Sequence, residues 1–398
     1  MKTSPAFIST CPRSKALSCL LGEDGQFELS RSDLAFALRL QREETVWRAR
    51  LDNALARFLT RPLHKLDRRT LMVLRLGAVQ LLVLGTPPHA AVSETVKLGA
   101  DRGVRGLINA VLRRLSLEGE EEGLPLHVRW SHPKEMVQRW VDRIGPTRTL
   151  SLLQWNNAPP VLGGYAFEEP PPGQPGTYLD RYRVFERSVP LPPPGVFVQD
   201  EAASLAARAF QELPGNTALE MGAAPGGKTA HQRCPFTVSL DLSEKRMKKW
   251  LENRNRLRWS NVFPLVADGL TPPFSSGFHK VLLDAPCTNT GVLRRRPEAR
   301  WRWSRATMAR LVGIQKMLLD SAAGLTIPGG YLVYSTCSME PEENLEQVLG
   351  FEERNPEFLR ISLGVPRPLS SDGMMVSFPP ESGVDGIFAA AWRRLPLQ

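Results

Sequence analysis

Two cysteines, each placed just after a short apolar run, are the residues of this chain best suited to chemistry. Cys287 follows Val281-Leu282-Leu283-Asp284 in the string D-A-P-C-T-N-T-G, and Cys337 follows Tyr331-Leu332-Val333-Tyr334 in S-T-C-S. A thiol at the end of a buried strand, within a turn of Pro, Ser, Thr and Gly, has the setting of a reactive group. The five cysteines show no Cys-x-x-Cys or Cys/His metal spacing. The pattern predicts covalent chemistry in a reducing compartment, without a disulfide framework or a bound metal.

A third apolar run ends in a glycine-rich loop, which reads Gly222-Ala223-Ala224-Pro225-Gly226-Gly227-Lys228-Thr229. Taken literally, this loop fits G-x-x-x-x-G-K-T, the phosphate-binding loop of nucleotide hydrolases, and the string 280–284 resembles the strand and Asp that hold magnesium. Pro225 argues against that function, because it removes a backbone donor that a phosphate needs. S-adenosylmethionine fits better: small residues let the backbone approach it, Asp241 can accept from its ribose hydroxyls, and Asp268 is expected near the adenine.

A sulfonium cofactor beside a thiol suggests methylation of carbon 5 of a pyrimidine. That carbon is too weak a nucleophile until a thiolate has added to carbon 6 of the ring. Asp284 is expected to bind the exocyclic amine and ring nitrogen of cytosine, and Lys228 to polarise the ring carbonyl and favour the thiolate. Each residue has an ordinary alternative, namely a packing cysteine, a turn-capping aspartate and a first-turn lysine. Their coincidence on adjacent strand ends favours the active-site interpretation.

The elements that must position these residues follow from an alternation of apolar runs and helical segments after residue 217. This alternation predicts a doubly wound, parallel α/β sheet. The predicted strands are 218–221, 237–240, 262–266, 281–283 and 331–334. Ligands in such sheets bind beyond the carboxyl ends of the strands, so the five strand ends are expected to open onto one crevice. An alanine-rich helix is predicted just before the sheet, at 201–210.

The N-terminal half shows helical periodicity over residues 31–116, with Ser32 and Asp33 as candidate N-caps. Pro87 and Pro88 are expected to end a helix. Two apolar stripes recur at helical spacing, Trp47, Leu51, Ala54, Leu55 and Phe58 in the first and Leu71, Leu74, Ala78 and Leu81 in the second. Residues 130–153 predict a further helix. The dense prolines between 170 and 194 predict irregular surface structure for residues 168–195.

Composition limits the class of protein. A chain of 398 residues is too long for one ordinary core. Its net charge of +10 favours a polyanionic partner, nucleic acid before a membrane surface. The most hydrophobic window, 71–84, is too short to cross a bilayer and contains Arg75. The apolar stretch 16–21 is too short for a cleaved signal. A cytoplasmic protein is predicted, with a monomer favoured, although the sequence does not determine the oligomeric state.

A second set of basic residues bears on RNA binding. The string after Cys287 carries arginines interleaved with Trp301 and Trp303, and residues 245–258 form another basic run around Trp250. The arginines are Arg294, Arg295, Arg296, Arg300, Arg302, Arg305 and Arg310. Arginines follow a nucleic-acid backbone and aromatic rings stack on unpaired bases. The alternative, that the tryptophans pack inward beneath arginine stems, has equal weight.

Two family resemblances extend these inferences over most of the chain. The strings R-P-L-H-K-L-D (61–67), L-R-L-G (74–77), P-P-H-A-A-V-S-E (87–94) and N-A-V-L-R-R (109–114) resemble the NusB family of RNA-binding helical domains. The strings G-A-A-P-G-G-K-T (222–229), D-A-P-C-T-N-T-G-V-L-R-R-R-P-E-A-R-W-R-W (284–303) and Y-S-T-C-S-M-E-P-E-E-N (334–344) resemble the Sun/Fmu (RsmB-type) family of bacterial 16S ribosomal RNA cytosine-5 methyltransferases.

The resemblances imply an N-terminal all-α NusB-like domain (1–123), a helical and Pro-rich connecting or RNA-entry segment (124–198), and an α/β Rossmann-like class I methyltransferase domain (199–398). They imply that Cys337 is the nucleophile and that Cys287 assists product release. They also imply that Asp284 and Lys228 contact the base. S-adenosylmethionine is then expected to bind Gly222, Ala223, Ala224, Pro225, Gly226, Gly227, Lys228, Asp241, Asp268 and Asp284.

This chain departs from the family pattern at two places. Thr288 and Asn289 stand where the family usually has Ser and Gly, and Asn tolerates the left-handed backbone of such a turn. Gly163 and Gly164 fall where the family usually has an Arg-Val-Asn-like strand that helps form the RNA-facing entry. We therefore expect a cytosine-5 methyltransferase acting on RNA, 16S ribosomal RNA first. The alternatives left open are a P-loop nucleotide hydrolase and a non-catalytic RNA-binding or assembly factor.

Overall fold

The computed structural model describes residues 9–186 and 191–396. The chain divides into two compact units, residues 1–157 and residues 158–398. The segment 124–198 is shared between them, because its helices belong to the first unit and its strands to the second. Among the described residues, no helix combines the length and the apolar character needed to span a membrane.

The first unit is helical, as predicted. Its helices are α1 (Pro12–Leu21), α2 (Arg31–Ala56), α3 (Arg68–Leu82), α4 (Pro88–Val96), α5 (Arg102–Glu118), α6 (Leu126–Arg129) and α7 (Lys134–Asn157). Two details differ from the sequence prediction. The cap of α2 is Ser30, whose hydroxyl accepts from the backbone N–H of Asp33, so Ser32 and Asp33 lie inside the helix. Pro88 begins α4 rather than ending α3, since its fixed φ suits a first helical turn.

Both predicted apolar stripes contribute to the core of this unit. Leu51 and Leu55 of α2 and Leu74 and Ala78 of α3 have no exposed surface. Arg75, which interrupts the most hydrophobic window, is also buried, and it pairs with two carboxylates of α2. Its guanidinium lies 2.6 Å from Asp52 Oδ2 and 3.2 Å from Glu44 Oε1. A buried cation needs such partners, so the charge joins α3 to α2 within the core.

The second unit begins with a small antiparallel sheet that the proline content did not predict. Its strands are β1 (Gly163–Ala166), β2 (Gly173–Pro175), β3 (Tyr182–Phe185) and β4 (Val196–Val198), in the order β2-β3-β1-β4. The prediction of irregular structure over 168–195 is therefore wrong for β2 and β3, and residues 187–190 of that segment lie outside the described residues. Pro175 is compatible with pairing because β2 is an edge strand, where a missing N–H faces away from the ladder.

The main sheet of the second unit carries the strands predicted from the sequence. They are β5 (Thr217–Met221), β6 (Phe236–Asp241), β7 (Val262–Val266), β8 (Phe278–Asp284) and β9 (Thr326–Thr336), followed by β10 (Phe358–Ile361), β11 (Ser370–Ser371), β12 (Met374–Val376) and β13 (Phe388–Arg394). The sheet order is β11-β12-β13-β9-β8-β5-β6-β7, with β10 paired to β13. Strands β5 to β9 are mutually parallel, and β13 adds to β9 in the antiparallel direction.

Helices cover both faces of this sheet, as a parallel sheet requires. They are α8 (Glu201–Gln211), α9 (Glu244–Leu257), α10 (Ala299–Arg302), α11 (Arg305–Gly324), α12 (Leu345–Arg354) and α13 (Pro379–Ser382). Alternate residues of β8 enter different cores: Val281 and Leu283 pack with Leu319 of α11, whereas Leu282 packs with Phe210 of α8.

The strand order reverses at β5, which has β8 on one side and β6 on the other. A crevice opens at such a switch point, beyond the carboxyl ends of the strands. The α/β fold and the shared edge of the five strand ends are thus confirmed, and they place the glycine-rich loop at the centre of that edge.

Candidate active site

The two cysteines meet at this edge because their strands are neighbours in register. Asp284 of β8 pairs with Ser335 of β9, so Cys287 and Cys337 lie a similar distance beyond the last paired residues. Their sulfur atoms are 3.3 Å apart and both thiols are free. Cys287 is buried and Cys337 is half-buried, so Cys337 is the more accessible sulfur.

Asn289, one of the departures from the family pattern, touches both cysteines. Its backbone is left-handed, with φ 60°, as expected for Asn at this turn. The side-chain Nδ2 donates to the carbonyl of Cys287 at 2.8 Å, and the thiol of Cys337 donates to Oδ1 at 3.2 Å. Asn289 therefore orients the Cys337 sulfur, a contact that the sequence did not predict.

Lys228 and Asp284 form an ion pair at the same edge. Lys228 Nζ lies 2.6 Å from Asp284 Oδ2, and the lysine side chain is only 9% exposed. Burial disfavours the ammonium, but the attraction of Asp284 and a smaller contribution from Cys337 raise the pKa of Lys228 above its usual value. Lys228 thus stays a cation, within electrostatic reach of the Cys337 sulfur.

The backbone of the glycine-rich loop is packed against β8. Gly222 has φ +80°, and a Cβ there would lie 2.3 Å from the carbonyl oxygen of Asp284. Only glycine combines that backbone with that close approach. The hydroxyl of Thr229 donates to the buried carboxyl of Glu220, whose pKa burial raises to about 8. That hydroxyl is therefore engaged by Glu220, and the helix after the loop is only a single turn, Thr229–His231, so the loop offers neither a free Thr hydroxyl nor the longer helix on which a P-loop depends.

The other two predicted cofactor carboxylates lie at the ends of β6 and β7. Asp241 is 2% exposed, and it accepts from the backbone N–H groups of Ala224 and Ser243 at 3.0 and 2.9 Å. Arg246 pairs with it at 3.2 Å. Asp268 is exposed and accepts from the N–H of Leu270 at 2.9 Å; in the part of the chain that the structure describes, it contacts no other predicted site side chain.

The structure separates the predicted RNA-binding arginines into two groups. Arg296 and Arg302 are exposed. Arg294 donates to the carbonyl of Pro159, and Arg295 pairs with Asp200 and Asp385 at 2.8 and 2.6 Å. Arg300 has no exposed surface. Arg300 is therefore too buried to contact RNA at the surface. Arg295 instead forms ion pairs within the protein.

The tryptophans of the basic segments also divide. Trp303 is buried and Trp301 is half-buried, whereas Trp250 is fully enclosed, with Nε1 donating to Thr229 at 3.0 Å. Trp250 and Trp303 thus follow the inward-packing alternative.

Sequence reasoning missed Glu343, which lies in the acidic string E-P-E-E-N and has no exposed surface. Such a string ordinarily indicates a solvated turn, and the only signal was that it begins one residue beyond S-T-C-S, after Met339. In the structure, its carboxylate accepts from Thr288 and Ser338, the neighbours of the two cysteines. No three His, Cys, Asp or Glu side chains among residues 9–186 and 191–396 are arranged to hold a metal ion.

Comparisons with known proteins agree with this geometry. Residues 207–393 match the family model described as 16S rRNA methyltransferase RsmB/F, and residues 13–116 match the NusB family. The chain is 35% identical to the ribosomal RNA small subunit methyltransferase B of Thermus thermophilus, over 87% of this chain and 85% of the relative. The corresponding protein of Klebsiella pneumoniae is 31% identical, over 86% of each chain. The crystal structure of PH0851 shares the fold, with a TM-score of 0.79 and 21% identity over 92% of this chain and 91% of that one.

Gly291 provides a test of how tightly the site is packed. Its N–H donates to the carbonyl of Cys337 at 3.0 Å, and a Cβ there would lie 2.1 Å from the carbonyl oxygen of Gly386. We expect Gly291→Ala to lower the free energy of unfolding by about 1–3 kcal/mol, because backbone must move. Gly313→Ala on α11, where a Cβ meets nothing within 4 Å, should instead raise it by about 0.5–1 kcal/mol. Urea denaturation measures both, and equal effects would contradict the packing argument.

Proposed function

The chain belongs to the RsmB/F family of 16S ribosomal RNA methyltransferases, and we propose that it methylates carbon 5 of a cytosine in 16S ribosomal RNA through a covalent adduct with Cys337. The observation that carries this proposal is the 3.3 Å contact between the Cys287 and Cys337 sulfurs at the ends of adjacent parallel strands. Methylation of an oxygen or an exocyclic nitrogen needs no such pair of thiols, whereas methylation of pyrimidine carbon 5 needs a nucleophile that adds and later leaves.

The residues at the strand ends fit S-adenosylmethionine as the methyl donor. The loop 222–228 would approach the cofactor with its backbone and small side chains. A larger residue is excluded at Gly222, because a Cβ there would collide with the carbonyl oxygen of Asp284. Asp241, Asp268 and Asp284 supply carboxylates, which suit a cationic cofactor and its ribose hydroxyls. The buried carboxylate of Asp241 retains lone pairs beyond those that Ala224 and Ser243 use. When bound, S-adenosylmethionine supplies an electrophilic methyl group.

In the proposed reaction, Cys337 attacks as the thiolate. The sulfur forms a bond to carbon 6 of cytosine, and the electron pair of the 5,6 double bond becomes available at carbon 5. With S-adenosylmethionine bound, carbon 5 would bond to its methyl carbon, and the electrons of the broken carbon–sulfonium bond would leave with S-adenosylhomocysteine. Asp284 accepts a hydrogen bond from the exocyclic amine, and Lys228 donates to the ring carbonyl, so that the negative charge developing on the ring lies beside the Lys228 cation.

Release reverses the addition. A base takes the proton from carbon 5, the electron pair of that bond restores the 5,6 double bond, and the carbon–sulfur bond breaks to return the Cys337 thiolate. The Cys287 thiol is close enough to donate to the departing sulfur. Burial and the contact with Cys337 raise the pKa of Cys287 well above its usual value, so Cys287 carries a proton at neutral pH.

RNA is the substrate in this proposal. Exposed Arg296 and Arg302 follow directly after the Cys287 loop, and the first unit matches the NusB family. A base must leave its stack to reach thiols of which one is buried and the other half-buried, so a single strand or a flipped nucleotide is required. Work on ribosomal RNA implies a cytoplasmic location. A monomer suffices for the proposed reaction, because one chain carries every residue named in it.

Cys337→Ala is expected to abolish methyl transfer to 16S ribosomal RNA while S-adenosylmethionine binding stays within about twofold, because the sulfur serves the base rather than the cofactor. Transfer of a labelled methyl group, with bisulfite sequencing of the product, measures the first quantity. Calorimetric titration measures the second. Retained turnover in the variant would refute the nucleophile assignment. Magnesium-dependent binding of ATP instead of S-adenosylmethionine would favour a nucleotide hydrolase.

Cys287→Ala should accumulate a covalent complex between protein and RNA, because the sulfur of Cys337 then leaves without a neighbouring donor. A denaturing gel detects this complex as a slowly migrating band. The double variant Cys287→Ala/Cys337→Ala is the control, and it should give no band. Absence of the band from Cys287→Ala in the presence of both substrates would contradict the release function.

The double variant Arg296→Gln/Arg302→Gln is expected to bind RNA more weakly. It should also lower the magnitude of the slope of log K against log salt concentration by about 1–2, because each lost phosphate contact removes about 0.7–0.9 from that slope. Arg367→Gln, an exposed arginine between β10 and β11, is the matched control. Fluorescence anisotropy at several salt concentrations measures both variants. An equal slope for the two would show that the segment after Cys287 is not the RNA-binding surface.

A further inference from the structure

Glu343 is a buried carboxylate that contacts both cysteine loops and that the proposed reaction does not use. It ends the single turn Pro341–Glu343 and has no exposed surface. Ionised carboxylates are almost never fully buried unless other groups compensate them. The position of Glu343 therefore requires an account of what holds it and what its charge does there.

The carboxylate joins the two cysteine loops. The backbone N–H of Thr288 donates to Oε1 at 2.9 Å, and the Thr288 hydroxyl donates to Oε2. From the other loop, the hydroxyl of Ser338 donates to the same Oε2 at 2.5 Å. Thr288 and Ser338 are the residues directly after Cys287 and Cys337, so a single carboxylate holds both loops from beneath.

A third element completes this arrangement. Gln315 of α11 donates from Nε2 to Glu343 Oε1 at 3.0 Å and to the carbonyl of Pro286 at 2.9 Å. The main chain of the same turn is held as well, because the Tyr334 hydroxyl donates to the Glu343 carbonyl at 2.7 Å. We call the set of Thr288, Ser338, Gln315 and Glu343 the carboxylate clamp.

The clamp contains no cation. All the groups that donate to the Glu343 side chain are neutral, unlike Lys228 beside Asp284. Burial raises the pKa of Glu343, while its donors act in the opposite direction. Among residues 9–186 and 191–396, no cation pairs with its carboxylate. Its negative charge opposes ionisation of Cys287, whose pKa is raised in part by Glu343. Charged groups near the two cysteine loops also include the Lys228–Asp284 pair and the buried Glu340, whose N–H donates to the Ser338 hydroxyl, with Tyr334 beneath.

We propose that Glu343 is a positioning residue that sets which sulfur attacks: the clamp holds Cys287 and Cys337 side by side and keeps the proton on Cys287, so that Cys337 is the sulfur left to attack. This inference rests on the proposed cytosine-5 methylation, in which the two thiols have different functions. It explains how two cysteines 3.3 Å apart avoid exchanging those functions. Lys228 lies within electrostatic reach of Cys337, whereas the anion of Glu343 disfavours an anion at Cys287.

The first test measures the reactivity of the two thiols in the absence of RNA, so its result does not depend on the substrate. Iodoacetamide alkylates thiolates, with loss of iodide, and peptide mass spectrometry separates the products at the two positions. In the unaltered protein, Cys337 should be labelled first. In Glu343→Gln, which removes the charge at nearly constant shape, the ratio of Cys287 to Cys337 labelling should rise about tenfold, the change expected for about one unit of relative protonation. Glu346→Gln, an exposed carboxylate on α12, should leave the ratio unchanged.

The second test uses the hydrogen bond rather than the charge. Thr288→Val removes the hydroxyl at constant volume, whereas Thr288→Ser keeps it. Single-turnover formation of the covalent RNA complex should slow by about 10-fold to 100-fold in Thr288→Val, the effect of removing a hydrogen bond to a buried carboxylate. It should recover to within about threefold of the unaltered rate in Thr288→Ser. Binding of S-adenosylmethionine, measured by calorimetry, should stay within about twofold throughout.

The outcomes separate the two proposals. Loss of activity in Cys337→Ala together with an unchanged labelling ratio in Glu343→Gln would overturn the function of Glu343 and leave cytosine-5 methylation standing. Activity in Cys337→Ala would remove the methylation proposal, while a changed labelling ratio would still establish that Glu343 controls the thiols. If Glu343→Gln does not fold, the Thr288→Val and Thr288→Ser variants provide the test. Equal rates of covalent-complex formation in these two variants would contradict the function proposed for the carboxylate clamp.

Discussion

The parallel pairing of β8 with β9 is the constraint on which the rest of the site depends. Backbone hydrogen bonds fix these strands so that Asp284 lies beside Ser335. Two loops of unrelated sequence then leave the sheet at the same level, and their third and second residues, Cys287 and Cys337, come into contact. A slip of one residue in this register would send alternate side chains to the opposite face of the sheet. The apolar residues of β8 pack into the cores on both sides of the sheet, which holds the strand in the interior.

Around this contact, the protein buries charged groups and gives each a different kind of partner. Lys228 has the carboxylate of Asp284, and Arg295 lies between Asp200 and Asp385. Opposed ion pairs of this kind offset the cost of burial. Glu343 has neutral donors only, so its charge remains available to act on its surroundings. The ion-paired groups hold loops in place, whereas Glu343 both holds the two cysteine loops and, in the proposal above, influences the protonation of Cys287.

The same holds farther from the site. Where a residue type is unfavourable at its position, a local structural feature offsets the cost. Arg75 lies on α3 within the most hydrophobic window of the sequence, where Asp52 and Glu44 accept its hydrogen bonds. Pro175 lies in a strand, but at the edge of the small sheet. A Cβ on Gly164 of β1 would lie 2.4 Å from the carbonyl oxygen of Phe197. The close approach of β4 thus requires glycine at this position of β1.

The sequence by itself determined the helical first unit, the five parallel strands and the strand ends that carry Cys287, Cys337 and the glycine-rich loop, because apolar periodicity and turn residues are local properties. The assignment of each site residue to a function stays a prediction, although Lys228 and Asp284 do meet. Only the tertiary structure decided that Arg300 and Trp250 are buried, that β2 and β3 pair, and that Glu343 lies beneath both cysteines. The physical reason is that burial and hydrogen bonding between residues 28 to 55 positions apart depend on how strands and helices pack, which no local pattern records.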